Sequence, residues 1–444
     1  MSFFERWFGN KDEANAQPDI RFGRYSDSYK STDCYDAWDA ALTDFENGKY
    51  LASYEQFLYF LRDEEEENVV WEKSEQGLAF ELFQGSKRVV GWATRQRLRV
   101  EARVARISAP RPELLRRLVE QNYSLKFSRY ALDPDYHITV VFETDTIDAS
   151  PYKLYYALKE VATQADKQDD LLLEEFGHME PVDSSHLNPL SEEETHIKHQ
   201  YIVKEIRRTL EEAENGALDR EEYPSGTACL LLSLIYKLDY LTKPEGFTME
   251  ALERIHRRFF SKDTAMNVQQ KNEMIISELR SLLERSEKEY SREMYQVKTT
   301  FGITAPVTHD RIVNLIDSEL HQMDWYKENG YYKIAAAYPC YIVGYSLFIY
   351  AIPQPDREFF HLFFRVTEPA YFKNLGFQPN YCDPETKQLD SKAIRKAIDQ
   401  IAKKHRSRYP QLRPSVSALS FDNLLDFSRT FLLMIRELDL TRLD

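Results

Sequence analysis

A group of short strands near the N-terminus constrains the fold of this chain more than any other feature. The clearest strand is Arg97–Ile107, and up to Val104 it carries charged side chains at its odd positions and apolar side chains at its even positions. This period of two predicts one buried and one solvent-exposed face, which is typical of an antiparallel sheet. Turn residues separate this strand from three earlier predicted strands, Val69–Glu72, Leu78–Phe83 and Arg88–Thr94.

Predicted helices flank these strands along the chain. The spacing of apolar residues predicts a helical hairpin before the strands and a long helix after them, which begins with Ser150 as its cap and Pro151 at its first position. The predicted elements are helices Asp33–Asn47, Tyr50–Arg62 and Pro112–Gln121, strands Lys126–Leu132 and His137–Glu143, and helix Ser150–Phe176. Their order is helix, strands, helix, two strands, helix.

The last strand and helix of this order carry a family resemblance. His137–Phe176 reads HITVVFETDTIDASPYKLYYALKEVATQADKQDDLLLEEF, a strand, a short turn and an apolar helix with an Ala165-Asp166 turn. This segment and the order of elements resemble the YbjN-like relatives of the bacterial class I type III secretion chaperones. The resemblance implies a small α+β domain and a non-enzymatic, chaperone-like adaptor that binds protein or peptide segments. Such relatives are single small domains, whereas this chain is much longer.

An ordered match within the chain predicts an internal duplication. Residues of the first sheet recur in the same order after residue 300, with Trp71, Gly77, Gly91 and Pro110 corresponding to Trp325, Gly330, Gly344 and Pro369. The predicted fold class is therefore α+β, with two antiparallel-sheet YbjN-like domains separated by an all-helical module. The alignment makes Phe359–Phe364 a strand covered on both faces, so Phe360 and Phe364 should be buried within the single chain.

These patterns divide the chain into five predicted parts. Residues 1–48 form an N-terminal tether and helix, and 49–178 form the first YbjN-like domain. Residues 179–194, rich in Pro, Ser and acidic residues, form a linker. Residues 195–300 form the helical module, with helices predicted at Thr195–Asn215, Thr227–Leu241, Thr248–Phe260 and from Met266 to about Val297. Residues 301–444 form a second, degenerate copy with a closing helix.

Familiar catalytic motifs are absent from the sequence. No GxxxxGK[ST], GxGxxG, GxSxG or HExxH occurs, so we expect binding rather than catalysis, with no cofactor and no metal. His196 and His199, behind Glu192–Glu194, share one predicted helix face and could ligate a metal, but a charged helix start explains them equally well. His137 is expected to be an ordinary strand residue, and His178 and His186 are expected to be solvated residues near the linker.

Charge and cysteine content restrict the partners and the compartment. The net charge of −15, from 58 basic and 73 acidic residues, opposes binding to nucleic acid and to anionic membranes. The most apolar segment, Thr227–Leu241, is too short to span a bilayer and is predicted to be a core helix. Four scattered cysteines predict reduced thiols and a cytoplasmic location. We expect a monomer or weak dimer, because two fused copies can pair within one chain.

One basic stretch departs from the acidic background. Ten Lys or Arg residues and two acidic residues lie between Lys87 and Arg117. Within it, the arginine row Arg95, Arg97, Arg99 and Arg103 is predicted to bind an anionic partner. Cross-strand pairing with Glu72, Glu75 and Glu81, or simple solvation, would also explain the row. Two other functions stay open, an enzyme with an interdomain site and a self-associating regulatory scaffold.

Overall fold

Two hydrophobic cores organise the chain. A computed structural model describes residues 17–176, 179–183, 186–262 and 265–442. One core belongs to a β lobe built on the predicted first sheet, and the other runs from Tyr201 to Leu438 through a helical lobe. His178 and most of the predicted tether lie outside the described residues.

The β lobe confirms the predicted order of helices and strands. Its elements are α1 (Thr32–Glu46), α2 (Tyr50–Leu61), β1 (Val69–Ser74), β2 (Gly77–Gly85), β3 (Lys87–Ala93), β4 (Arg97–Arg106), α3 (Pro112–Asn122), β5 (Arg129–Leu132), β6 (His137–Asp145) and α4 (Pro151–Glu175). The Ser150 hydroxyl accepts a hydrogen bond from the Lys153 amide, so the predicted cap of the long helix is confirmed.

The sheet of the β lobe has one covered face and one open face. Its six long strands pair antiparallel in the order β1-β2-β3-β4-β6-β5. Along β4, Leu98, Val100 and Ala102 are fully buried in the core formed with α4 and the α1–α2 hairpin, while Arg97 and Arg99 face away from it. The alternation predicted from the sequence is therefore confirmed.

The rest of the chain is mainly helical. After the short strands β7 (Glu180–Pro181) and β8 (Asn188–Pro189) come α5 (Glu192–Asn215), α6 (Pro224–Thr242), α7 (Gly246–Phe260), α8 (Val268–Glu284) and α9 (Glu287–Arg292). Then follow β9 (Tyr295–Gln296), β10 (Lys298–Thr299), β11 (Ala305–Pro306), α10 (His309–Glu328), α11 (Tyr332–Ile349), β12 (Tyr350–Ala351), α12 (Gln354–Thr367), α13 (Pro369–Asn374), α14 (Ser391–His405) and α15 (Leu424–Arg436). The predicted linker thus contains two short strands. Residues 195–300 are mainly helical as predicted, but the single helix predicted from Met266 to about Val297 is divided into α8, α9 and β9.

The predicted second α+β copy is wrong. Gly344 lies within α11 rather than in a strand, and Phe359–Phe364 lies within α12. An apolar run that is buried on all sides has no exposed face to reveal its period, so a buried helix and a two-sided strand look alike in sequence. Gly344 serves helix packing, since a Cβ there would lie 2.8 Å from the Cβ of Tyr236 in α6. The chain therefore does not contain two copies that could pair with each other, and a monomer or weak dimer stays a prediction.

The burial predicted for the aromatic run is confirmed in spite of this error. Phe360 and Phe364 are both fully buried within the chain. They lie one helical turn apart, as do Phe359 and Phe363, so α12 buries aromatic rings on a broad face. The ring of Phe363 lies 5.9 Å from that of Phe431 in α15, so the predicted closing helix does cover this segment.

An N-terminal strap, residues 17–30, ties the two lobes together. Phe22 packs against the helical lobe among the rings of Tyr240, His361, Phe372 and Phe377. Gly23 has a φ of +68° and donates its amide to the Tyr240 carbonyl at 2.8 Å, where any side chain would strike the Tyr240 ring. Tyr25 donates to Asp63 of the β lobe at 3.2 Å. The described end of the predicted tether is therefore packed against both lobes.

A crossing segment, residues 298–303, connects the lobes a second time. β10 pairs with the end of β2, and the Phe301 amide donates to the Gln84 side chain at 2.9 Å. The Phe301 ring is fully buried in the core of the β lobe. The predicted domain boundary at residue 300 thus falls within a segment that pairs with the sheet of the β lobe, and the helical lobe continues on both sides of it.

Two further predictions concern membrane-spanning helices and disulfide bonds among the described residues. None of the helices among them is long and apolar enough to cross a membrane. The four cysteines, Cys34, Cys229, Cys340 and Cys382, are all free thiols, as the sequence predicted.

Replacement of Phe360 by Asp should lower the free energy of unfolding by about 3 kcal/mol or more, because it places a carboxylate in the aromatic core of the helical lobe. Val119→Asp is the control, since Val119 is 68% exposed on α3 and should change stability by less than about 0.5 kcal/mol. Urea denaturation of both variants checks this. Similar small losses from the two substitutions would contradict the burial of Phe360.

Candidate functional site

The predicted arginine row lies on the open face of the sheet. Arg97, Arg99 and Arg103 project from β4 on the side away from the core, and Arg95 lies in the preceding turn. Glu143 on β6 lies 3.1 Å from Arg97 and 3.8 Å from Arg99. Asp145 of β6 also contacts Arg97 at 3.9 Å, Arg99 contacts Glu101 of its own strand at 3.0 Å, and Arg103 contacts Asp133 at 3.9 Å.

This pairing identifies different partners from those that the sequence suggested. Glu72, Glu75 and Glu81 were candidates for the arginine row, but Glu81 contacts Arg88 at 3.4 Å and the row is neutralised mainly from β6. The strand order explains why β6 supplies the partners. β4 lies between β3 and β6, and β3 separates it from β2. Among the described residues no carboxylate forms an ion pair with Arg95.

The basic stretch also contains one structural lysine. Lys87 is buried and lies 2.7 Å from the carboxylate of Asp169 in α4. Its ammonium also donates to the Val104 carbonyl at 3.0 Å. Because this cation is satisfied inside the β lobe, it holds α4 against the sheet rather than facing a partner.

Apolar side chains share the open face with these charges. Trp92 is 48% exposed, and Val70 and Val90 are exposed nearby. Strand register places Val90 beside Glu101 and Trp92 beside Arg99, whose other neighbour is Glu143. A shallow depression of about 350 Å³ lies over this region, lined by Arg88, Val90, Gly91, Trp92, Arg99, Glu101, Arg103 and Asp183. We call this area the open face.

The histidines named from the sequence do not assemble a metal site at α5. His196 and His199 both point to Glu287 of α9, at 2.7 and 3.7 Å, rather than to the predicted acidic run before them. Glu194 of that run instead contacts the buried Lys198 at 2.8 Å. Elsewhere His186 packs on the ring of Phe83 at 5.1 Å, so it is not simply a solvated residue.

A cluster near the start of β6 gathers three potential ligand atoms. Among the described residues, Asp133, Asp135 and His137 are the group whose ligand atoms lie within 4.8 Å of one another. The Asp133 carboxylate already accepts the amides of Asp135 and His137, at 2.9 and 2.8 Å, and contacts the His137 ring at 2.8 Å. These bonds account for the tight turn between β5 and β6, so His137 helps to shape the turn.

A second candidate site lies between the lobes, and the sequence alone did not locate it. We call it the interlobe cleft; its volume is about 480 Å³. Its walls come from the end of β2 and from α4 on one side, from α6 and α7 on the other, and from the strap and the crossing segment between them. No periodicity could predict this cleft, because its walls are distant in sequence and meet only through the two ties between the lobes.

Ion pairs line much of the interlobe cleft. Arg24 of the strap contacts Asp239 at 2.7 Å and Glu253 at 2.8 Å, and its guanidinium lies 3.9 Å from the centre of the Phe348 ring. Arg257 contacts both Glu250 and Glu253. These contacts neutralise the acidic groups of α6 and α7 and fix the strap at the bottom of the cleft.

Two titratable groups in the interlobe cleft differ from these paired charges. Glu245, the residue before α7, is 8% exposed, and burial raises the pKa of its carboxyl group to about 7. His256 contacts the Tyr236 hydroxyl at 2.9 Å, and burial together with the charge of Arg24 lowers the pKa of its imidazole to about 4. At neutral pH the cleft therefore contains an uncharged imidazole and a carboxyl group near its midpoint of titration.

Comparison with known proteins does not assign the chain to a family. No protein-family model matches the sequence, and no curated protein matches it significantly.

Replacing Arg97 and Arg99 together by Gln should change the free energy of unfolding by less than about 1 kcal/mol, because exposed ion pairs contribute little. Lys87→Met is the contrasting variant and should cost about 3–5 kcal/mol, since it leaves Asp169 buried without its cation. Thermal or urea denaturation measures both. A large loss in the double arginine variant would show that the row stabilises the sheet.

Proposed function

We propose that this chain is a non-enzymatic adaptor that binds an extended protein or peptide segment on the open face of its β lobe. The observation that carries the proposal is the exposure of Trp92 and Val90 at the centre of that face, with arginine and glutamate side chains around them. The order of helices and strands in the β lobe also agrees with the order on which the YbjN-like resemblance rests.

The composition of the open face supports binding of protein. Tryptophan is among the residues that contribute most to protein interfaces when a partner covers them, and charged side chains usually form the rim. On this face the two apolar side chains lie between Arg88 of β3 and the Arg99–Glu101 pair of β4. A bound partner would therefore contact an apolar centre surrounded by a rim of positively and negatively charged side chains.

The ion pairs within the face limit what the arginine row can contribute. Glu143 and Glu101 already neutralise Arg97 and Arg99, so an acidic partner would have to replace these carboxylates. Such an exchange gains little affinity but favours a defined orientation of the partner. We therefore propose that Trp92 supplies most of the affinity, and that the arginine row sets the register of a bound segment that carries acidic residues.

Trp92→Ala should weaken binding of the partner at least about tenfold, because the ring would lie at the centre of the interface. The control is Tyr123→Ala, since Tyr123 is 95% exposed in the same lobe but lies outside the open face. Capture from native lysate with the tagged full chain identifies a stoichiometric protein, and titration of that purified protein gives the dissociation constants. Equal affinities for Trp92→Ala and wild type would overturn the proposal.

A second variant tests the chemistry of the partner. Glu143→Gln removes the carboxylate shared by Arg97 and Arg99 and leaves both arginines less neutralised. A partner that presents carboxylates should then bind several-fold more tightly, with a steeper dependence on salt. An unchanged affinity would exclude the arginine row from the interface.

The self-associating scaffold gives a different result in the same experiment. If the open face joins two copies of this chain, light scattering should show a wild-type dimer that Trp92→Ala converts to monomer. The adaptor proposal instead expects the same mass for both proteins in the absence of a partner.

A further inference from the structure

One acidic group in the interlobe cleft, Glu245, has no direct ion-pair partner within the described part of the chain. None of the described residues donates a hydrogen bond to the Glu245 carboxylate or forms an ion pair with it, although the residue is 8% exposed. The neighbouring carboxylates of Asp239 and Glu253 are both held by Arg24. Burying a carboxylate without a positive partner is unfavourable, so the cleft is incomplete at this point.

We infer that the interlobe cleft binds a small organic cation, a molecule with an apolar body and one protonated amine, and that Glu245 is the counterion of the amine. This site is separate from the open face and does not depend on the function proposed for it. The cleft volume of about 480 Å³ lies within the range of small-molecule sites.

The walls of the cleft suit the apolar part of such a ligand. Phe247 and Met249 of α7, Ile303 of the crossing segment and Phe348 of α11 line the cleft. The rings of Phe348 and Phe247 already carry the guanidinium groups of Arg24 and Arg285, so they contribute apolar surface rather than a further cation–π contact. A ligand amine close to Glu245 would therefore be favoured by the carboxylate, and the apolar body of the ligand by these walls.

The charged groups that face Glu245 do not complete the site. Arg24 of the strap is already paired with Asp239 and Glu253. Lys198 of α5 is already paired with Glu194. Lys243 at the end of α6 attracts the Glu245 carboxylate and lowers its pKa, but it forms no ion pair with it, and Asp239 adds negative charge. From α4, Asp166 and Lys167 line the cleft; Asp166 accepts the Ser86 amide, and Lys167 lies 3.9 Å from Glu250.

The site predicts a defined dependence of binding on pH. Because burial raises the pKa of Glu245 to about 7, the carboxyl group is mostly neutral at pH 6 and mostly ionised at pH 8. An alkylamine stays protonated over this range, so its affinity should increase about tenfold as the pH rises between these values. A neutral ligand should show no such increase.

The test compares three ligands of one shape on the full chain by titration calorimetry at pH 8. Phenethylamine carries the positive charge, phenethyl alcohol is neutral and hydrocinnamate is negative. We expect phenethylamine to bind at least about tenfold more tightly than the other two, as a charge-assisted hydrogen bond to a buried carboxylate requires. The inference is overturned if the alcohol or the acid binds as tightly as the amine, or if none of the three binds.

Two variants locate the effect at Glu245. Glu245→Gln should remove the preference for the amine over the alcohol and also the rise in affinity with pH. Glu250→Gln is the matched control, because its carboxylate lines the same cleft but is already paired with Arg257. A preference for the amine that survives Glu245→Gln, or that is lost equally in Glu250→Gln, would contradict the assignment of Glu245.

Discussion

The burial of Phe301 in the β lobe is the contact on which the arrangement of the molecule depends. The chain on either side of this residue belongs to the helical lobe, yet its ring lies in the core beneath the sheet, and the nearby Lys298 and Thr299 pair with the end of β2. Full burial of a phenylalanine contributes about 1.5–3 kcal/mol. The two lobes are therefore interlaced rather than strung along the chain as consecutive domains.

The N-terminal strap, residues 17–30, is the second connection between the two lobes. Arg24 is almost surrounded by Asp239, Glu253 and the Phe348 ring, and removing one member of such a buried set usually costs about 3–5 kcal/mol. Where the strap and the crossing segment pass between the lobes, they leave the interlobe cleft and bring Glu245 to its wall. The open face of the sheet points away from the core, so one molecule carries two separate candidate sites.

The β lobe could be predicted from the sequence because its strands have one solvent-exposed face. The charged odd positions from Arg97 to Arg103 reveal a period of two, and Ser150-Pro151 marks the start of the long helix. The helices α11 and α12 could not be recognised from the sequence. Residues such as Phe359 and Phe364 are buried on every side, so no exposed positions mark a helical period. The open face followed from the alternation of charges, but the interlobe cleft did not, because contacts such as Arg24 with Asp239 join residues far apart in sequence.

The central claim, that the lobes form one cooperative unit, is tested most directly by native-state hydrogen exchange of the wild type and of Phe301→Ala. A Phe→Ala change in a core costs about 3–5 kcal/mol, so exchange through global unfolding should accelerate about a hundredfold or more. We expect this acceleration for the slowest amides of both lobes, in β3 and β4 and equally in α6. Acceleration confined to the β lobe, with α6 unchanged, would contradict it.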